Sequence, residues 1–278
     1  MARLLASAGL LLLSCGGEPP TPAPAGCAVD NPPGTAWLAA DTDALDLGVV
    51  ESTGTGAITL RNDGDSTLGI EAITVRTASG EANWSASYQV GADIAPPVDA
   101  LVAALDPGET LVVELTATPE SALDLGALLV STRSASRQDV FRDPVGPVLT
   151  VPLIAGLQGG ETADLLGVVV DLEQRSITMG ESACLQVFAA APQTPTCTVS
   201  NPDELAYEPV VTEIAVGADA VRRFDFELGF DVSVPDGIGG RVVPYALSCE
   251  APGTEHTLSL ELPLTVLPAE TTWEDDIP

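Results

Sequence analysis

The feature that most constrains this fold is the alternation of apolar and polar residues in short segments. In residues 224–232, Phe224, Phe226 and Leu228 begin a series of apolar residues that alternates with acidic residues and glycine. A period of two is typical of a β-strand with one buried face. No long stretch shows the apolar period of 3.6 residues that a helix needs, so few helices are expected. The sequence therefore predicts an all-β fold.

The predicted strands fall into two groups with a short gap between them. Residues 40–156 contain seven short apolar or alternating segments separated by turn residues, and residues 163–268 contain seven more. Seven short strands in about 110 residues favour an immunoglobulin-like sandwich. We therefore predict two tandem immunoglobulin-like β-sandwich domains, joined by a linker at 157–162 and followed by an acidic tail at 269–278.

The amino-terminal segment has the pattern of an export signal. Arg3 supplies a positive charge, Leu4–Leu13 is an apolar run, and Ser14 and Cys15 end it. A membrane-spanning helix needs about 20 apolar residues, so this run is too short to span. The segment resembles the lipobox signal of bacterial lipoproteins. That resemblance implies that residues 1–14 are removed and that Cys15 carries the lipid.

An alternative is an ordinary secretory signal that is cut near Ala25, which would discard Cys15. Residues 15–39 follow as a proline-rich segment, which favours an extended polyproline II tether and cannot form a core. In the lipoprotein family an aspartate after the lipidated cysteine often marks inner-membrane retention. Gly16 stands there in this chain, which favours the outer membrane of a bacterial cell envelope.

Four short motifs of the first predicted domain resemble the ASH/hydin-type immunoglobulin-like domains, which also occur in bacterial surface proteins of the choice-of-anchor type. The motifs are 45–48 (LDLG), 58–64 (ITLRNDG), 105–109 (LDPGE) and 151–153 (VPL). They consist of strand and turn residues. The resemblance implies a scaffold or protein-interaction role and supplies no catalytic residues.

The chain has five cysteines, and lipidation of Cys15 leaves four, an even number that suits an oxidising compartment. Cys184 and Cys249 lie where an immunoglobulin-like sandwich joins its two sheets, so we predict a Cys184–Cys249 disulfide. A Cys184–Cys197 bridge would need awkward hairpin geometry. Cys27 and Cys197 then remain, either paired with each other or free.

The charge of the chain argues against nucleic acid as a partner. The net charge is −30, and all ten basic residues are arginines. Binding to nucleic acid requires clustered cations that displace counterions. Arg133, Arg137 and Arg142 lie in one predicted loop and would suit an anionic partner. Pairing with neighbouring acids in a solvated loop is the favoured interpretation, because such surface pairs are common and weak.

Catalytic and metal-binding patterns are sparse. His256 is the single histidine, and no nucleophile-elbow, zinc, phosphate-loop or dinucleotide pattern occurs. Asp41, Asp43 and Asp46 are weak calcium candidates, since calcium prefers oxygen ligands. A second acidic cluster near Asn62 is explained by turn chemistry.

These observations predict a non-enzymatic, lipid-anchored envelope protein that acts as a scaffold or protein-interaction module and needs no cofactor. The membrane, through the lipid, and other envelope proteins are the expected partners. The alternative is a carbohydrate- or substrate-binding accessory lipoprotein, which exposed aromatic residues on one sheet face would favour. A hydrolase ranks third.

Overall fold

The structure is a computed structural model that describes residues 38–78, 83–88, 102–134, 148–161, 165–170, 176–178, 183–191, 193–201, 206–207, 210–214, 221–229, 240–254 and 257–268. Within these ranges the chain forms 18 strands and no helix. The predicted all-β fold class is therefore confirmed.

The first sandwich consists of nine strands in two facing sheets. The strands are β1 (Leu38–Ala40), β2 (Leu45–Val50), β3 (Gly54–Asn62), β4 (Leu68–Thr77), β5 (Trp84–Tyr88), β6 (Ala103–Leu105), β7 (Thr110–Ala117), β8 (Asp124–Ser134) and β9 (Val148–Leu157). The sheet orders are β1-β3-β7-β5 and β2-β9-β8-β4-β6. Ile58, Leu115, Leu128 and Leu153 are fully buried between the sheets, as the alternation of their strands predicts.

The second sandwich also has nine strands in two sheets. They are β10 (Leu166–Val170), β11 (Ser176–Thr178), β12 (Ala183–Ala190), β13 (Thr196–Ser200), β14 (Ala206–Tyr207), β15 (Val210–Ile214), β16 (Val221–Leu228), β17 (Arg241–Glu250) and β18 (Leu258–Leu267). The sheet orders are β10-β12-β16-β15 and β11-β18-β17-β13-β14. Phe226, Tyr245 and Leu264 are fully buried between them.

Both sandwiches begin in the same way, with a strand pair that divides between the two sheets. β1 pairs antiparallel with β3, whereas β2 crosses to the other sheet and pairs parallel with the last strand, β9. In the second sandwich, β10 pairs antiparallel with β12 and β11 pairs parallel with β18. The remaining pairings are antiparallel, so each half is an immunoglobulin-like sandwich.

The two sandwiches pack on each other through the sheets that contain β8 and β12. In β8, Leu128 and Val130 face the core of the first sandwich, while Leu125 and Leu129 face the second sandwich. Phe188, fully buried on β12, meets them from the other side. Strands buried on both faces have continuous apolar sequences, which explains the uninterrupted run from Leu125 to Val130. The result is a stack of four sheets with three apolar layers between them.

Polar groups lie at the rim of this interface. Thr150 Oγ1 donates a hydrogen bond of 2.6 Å to Gln186 Oε1 across the two sandwiches. In β16, Arg223 Nε lies 2.8 Å from Asp225 Oδ1. Asp225 is only 7% exposed, although the alternation of its strand predicts a solvent-facing position. The first sandwich covers that face, and the arginine offsets the cost of burying the carboxylate.

The predicted linker is held against the first sandwich. Leu157 N–H donates to Ser121 O, and Ala122 N–H donates to Glu161 O. A side chain at Gly156 is excluded by close approach, because a Cβ atom there would lie 2.2 Å from Ala122 O. Residues 157–161 of the linker are therefore held against the first sandwich by backbone contacts.

The predicted Cys184–Cys249 disulfide is wrong. Cys197 on β13 and Cys249 on β17 are directly opposite each other in one sheet and form a disulfide. Cys197 is therefore also not available to Cys27. Cys184 lies in the other sheet and is exposed, whereas its neighbours Ala183 and Leu185 face the core. Because adjacent strand residues point to opposite faces, Cys184 points away from Cys249.

Candidate functional site on the outer face of the second sandwich

The outer sheet of the second sandwich presents an exposed surface on the side away from its core. Along β17, Val243, Tyr245 and Leu247 are at most 1% exposed and pack in the core. Successive side chains of a strand point to opposite faces, so the even-numbered residues of β17 point outward. These exposed residues are Val242, Pro244, Ala246, Ser248 and Glu250.

Strands β18 and β13 flank β17 and extend this surface. Backbone pairing places Thr265 opposite Val242 and Pro263 opposite Pro244. On the other side of β17, Thr198 lies opposite Ser248. We call the outward side chains of β13, β17 and β18 the β17 face. It presents hydroxyl groups and small apolar groups on a sheet whose backbone is already hydrogen-bonded, so it suits non-covalent contact.

The β17 face combines two acidic residues with an exposed apolar end. Glu250 lies at the end of β17, and Glu261 lies opposite Ala246 near the middle of that strand. The apolar end contains Val242, which is 61% exposed, and Leu267, which is 37% exposed. Exposed apolar groups of this kind are typical of protein-binding surfaces.

The outward face of the first sandwich offers a comparison. It contains Val112 on β7, which is 46% exposed and lies opposite Thr59. Glu114 is two residues further along β7, and Arg61 on β3 forms an ion pair with Asp63. Val112 is therefore exposed on an outward sheet face, as Val242 is, but it has charged residues on both sides.

Most of the aromatic side chains that the structure describes are needed for packing. Trp84, Phe188, Phe224, Phe226 and Tyr245 are all buried. Tyr88, at the end of the edge strand β5, is 37% exposed. The described residues thus provide no row of aromatic rings on a sheet face, which is the feature that would favour carbohydrate binding.

The structure does not assemble the predicted calcium ligands Asp41, Asp43 and Asp46 into one site. Asp41 Oδ1 accepts a 2.9 Å hydrogen bond from Thr59 N–H, and Asp46 Oδ1 accepts one of 2.7 Å from Gly48 N–H. Across the described ranges, no three acidic, histidine or cysteine side chains come together as a metal site. These contacts give two of the aspartates structural roles at strand ends.

The motif residues near Asn62 also have a structural role. Asn62 is fully buried, and its Nδ2 donates to Ser66 O at 2.8 Å and to Leu105 O at 2.9 Å. Its Oδ1 accepts from Gly64 N–H at 3.0 Å. In the motif at 105–109, Glu109 Oε2 accepts from the backbone N–H of residue 106 at 2.8 Å. Asn62 therefore joins the turn after β3 to the end of β6, which accounts for both turn motifs.

Several predicted site residues lie outside the described residues: Cys15, Cys27, Arg137, Arg142 and His256. Arg133 lies near the end of β8, where its backbone pairs with Gly69. The arginine patch thus stays a prediction. In the described part of the chain, no helix is long and apolar enough to cross a membrane.

A buried acid lies at one end of the first core. Asp124 is 5% exposed, and burial raises the pKa of its carboxyl group. A 2.7 Å hydrogen bond from Asn83 Nδ2 opposes this rise. The buried Nε1–H of Trp84 does not reach hydrogen-bonding geometry. Its dipole nevertheless lies near the Asp124 carboxylate, and this also opposes the rise in pKa. This small network joins β8 to the start of β5.

Sequence reasoning missed both the β17 face and the interface between the sandwiches. The β17 face could have been found from β17 itself, where Val242, Pro244 and Ala246 are apolar residues on the outward side of an alternating strand. The interface could have been found from the continuous apolar runs in β8 and β12, since a strand with one solvated face alternates.

No protein-family model matches the chain, and no curated protein matches it. Among solved structures, it is similar to the ASH/PapD-like domain 7 of human CEP192, with 12% identity and a TM-score of 0.34 over 51% of this chain and 99% of that one. The periplasmic chaperone SfaE matches with 11% identity and a TM-score of 0.34, over 80% and 98%. The secreted serine protease VesC from Vibrio cholerae matches with 14% identity and a TM-score of 0.28, over 68% and 46%. At these identities no functional conclusion is drawn from the matches, and the fold follows from the strand pairings.

Proposed function

We propose that this protein is a non-enzymatic, lipid-anchored envelope protein that binds other envelope proteins through the β17 face. The observation that carries the proposal is the apolar end of this face, where Val242 and Leu267 are exposed to a partner. Most of the other outward residues of the face carry hydroxyl or small apolar side chains, which suit non-covalent contact with a protein.

The size of the β17 face indicates the class of complex. The face has two strands of ten residues and the five-residue β13. At about 4.8 Å between strands and about 3.3 Å per residue, they cover roughly 400 Å². Two partners that each contribute this area bury roughly 800 Å² in total, which corresponds to a weak or transient complex. We therefore expect an assembly that exchanges partners.

The lipid anchor is supported by the sequence. The apolar run Leu4–Leu13 ends at Ser14 and Cys15, and a proline-rich tether follows. Two or three acyl chains on Cys15 would hold the protein firmly, since each buried methylene contributes roughly 0.8 kcal/mol. Gly16 after the cysteine favours the outer membrane. Mass spectrometry of the processed amino terminus tests this part, and an unmodified terminal peptide would refute the anchor.

Photocrosslinking in intact cells tests the binding face. The chain has no lysine, so amine-reactive crosslinkers are unsuitable. A photoreactive phenylalanine analogue at Ser248, on the β17 face, is expected to form a crosslink to an envelope protein. The same analogue at Glu114, on the outward face of the first sandwich, is the positional control and should not capture that protein.

A charge substitution provides the second test. Val242→Arg is expected to abolish the crosslink from position 248, whereas Val112→Arg is expected to leave it unchanged. Both valines are exposed on outward sheet faces, so neither substitution should affect folding. Equal crosslinking from positions 248 and 114, or persistence of the crosslink in Val242→Arg, would contradict the proposed site.

A further inference from the structure

Cys184 has a disulfide bond although it lies apart from the Cys197–Cys249 pair. It is an exposed residue of β12, and its register partner in β16 is Glu227. The sulfur of Cys184 is disulfide-bonded. Gln186, two residues along the same face, accepts the hydrogen bond from Thr150. Cys184 is therefore at the rim of the interface between the two sandwiches.

The disulfide partner of Cys184 follows from the number of cysteines in the chain. Cys197 and Cys249 are bonded to each other, and the chain has five cysteines in all. The sulfur of Cys184 must therefore be joined to Cys15 or to Cys27. If Cys15 is lipidated, as the proposed function has it, its sulfur is a thioether and cannot also form a disulfide. We propose that Cys27 is bonded to Cys184, so that the segment before β1 is covalently fastened to the second sandwich.

The reaction is the oxidation of two thiols. Each cysteine loses one proton and one electron, and the two sulfurs form the S–S bond. The electron pair passes to an envelope dithiol–disulfide oxidoreductase, whose own disulfide is reduced to a dithiol through a mixed-disulfide intermediate. The same class of oxidant forms the Cys197–Cys249 bond, so the proposal requires an oxidising compartment and no additional chemistry.

The chain is long enough to make the connection. Leu38, the first residue of β1, comes eleven positions after Cys27, and a segment of this length can span about 36 Å when extended. β1 and β12 lie in the first and third sheets of the four-sheet stack. Packed sheets are about 10 Å apart, so roughly 20 Å separates these two layers. The segment before β1 is therefore long enough to cross the two layers between the first and third sheets.

The bond changes how the folded body is held at the membrane. Without the disulfide, Leu38 comes 23 positions after Cys15, which allows a distance of about 70 Å between the membrane and the folded body at about 3.1 Å per residue. With it, the free tether ends at Cys27 after 12 residues, or about 37 Å. The point of attachment also moves to the second sandwich. The disulfide would therefore bring the second sandwich close to the bilayer.

A cleavable tether tests the inference in the full-length protein. A specific protease site is inserted after Asn31, between Cys27 and β1, and the protein is cleaved in membranes without reductant. The body is expected to stay with the membrane until a reductant is added. In Cys184→Ser it is expected to be released at once. A site inserted after Pro22 is the control and should release the body in both proteins. Release of the unreduced parent protein from the site after Asn31 would overturn the inference.

Peptide mapping of the unreduced, alkylated protein separates this inference from the proposed anchor. A Cys27–Cys184 peptide together with lipidated Cys15 supports both. An alkylated Cys184 together with lipidated Cys15 overturns the disulfide and leaves the anchor intact. A Cys15–Cys184 peptide overturns both. A Cys27–Cys184 peptide in a protein that begins after Cys15 supports the disulfide and refutes the anchor.

Discussion

Replacing Phe188 with alanine is expected to uncouple the two sandwiches. Phe188 is fully buried in the apolar layer between them, whereas its neighbours Val187 and Ala189 face the core of the second sandwich. The substitution thus removes interface packing and leaves that core intact. Loss of the ring costs about 2 kcal/mol in transfer free energy, and the cavity adds about 2 kcal/mol more. We expect a loss of about 4 kcal/mol in the free energy of unfolding.

Hydrogen exchange measured by mass spectrometry tests this coupling. In Phe188→Ala, amide protection should fall in β8 and β9 of the first sandwich as well as in β12. The largest expected loss of protection is roughly a thousandfold. It follows from the loss of about 4 kcal/mol, because each 1.4 kcal/mol corresponds to a factor of ten. The control is Phe226→Ala, which removes an equally buried ring from the core of the second sandwich. Its protection losses should be confined to that sandwich.

The reasoning is refuted if Phe188→Ala leaves the protection of β8 and β9 unchanged. Such a result would mean that the interface cluster does not stabilise the first sandwich. A loss in Phe188→Ala that matches Phe226→Ala strand by strand would have the same meaning.

Three further predictions concern the disulfide, the buried turn and the buried acid. Cys197 and Cys249 are 52 residues apart, so replacing both by serine should lower the free energy of unfolding by about 4 kcal/mol in the chain-entropy model; an unchanged denaturation midpoint would contradict this. Asn62→Ala should cost roughly 3 kcal/mol, because three hydrogen bonds of a buried side chain are lost, whereas Asp63→Ala, which removes an exposed ion pair, should leave the denaturation midpoint nearly unchanged in the same titration. Because burial raises the pKa of Asp124, its contribution to stability is complete below the usual value of 3.8 and is lost as pH rises through the folded value. The melting temperature of Asp124→Asn relative to that of the parent protein should therefore increase as pH rises from 4 to 7. A difference in melting temperature that stays constant over this range would contradict the raised pKa of this carboxyl group.

Local sequence patterns predicted the strands well. The alternation from Phe224 to Leu228 places three apolar side chains in the core. Strand β16 begins earlier than expected, at Val221. Two very short strands, β1 and β6, have too few residues to show a period, and their pairing with β3 and β4 depends on neighbours distant in sequence.

The pairing of cysteines could not be derived from the sequence. Sequence spacing suggested Cys184 and Cys249, but a disulfide depends on the register of strands and on which face each residue occupies. Register places Cys197 opposite Cys249, while Cys184 faces away from the core. The roles of the turn motifs were also hidden, because the contacts of Asn62 extend to Leu105, 43 residues away.

The sequence by itself determined that this chain forms β-strands, because a period of two is a local property of the backbone. It also specified the turns and the buried face of most strands. Only the tertiary structure decided that Asp225 is buried, that the sandwiches share an apolar layer, and that the β17 face remains exposed. The physical reason is that alternation distinguishes two faces of a strand but does not reveal whether a second sheet covers the outer one.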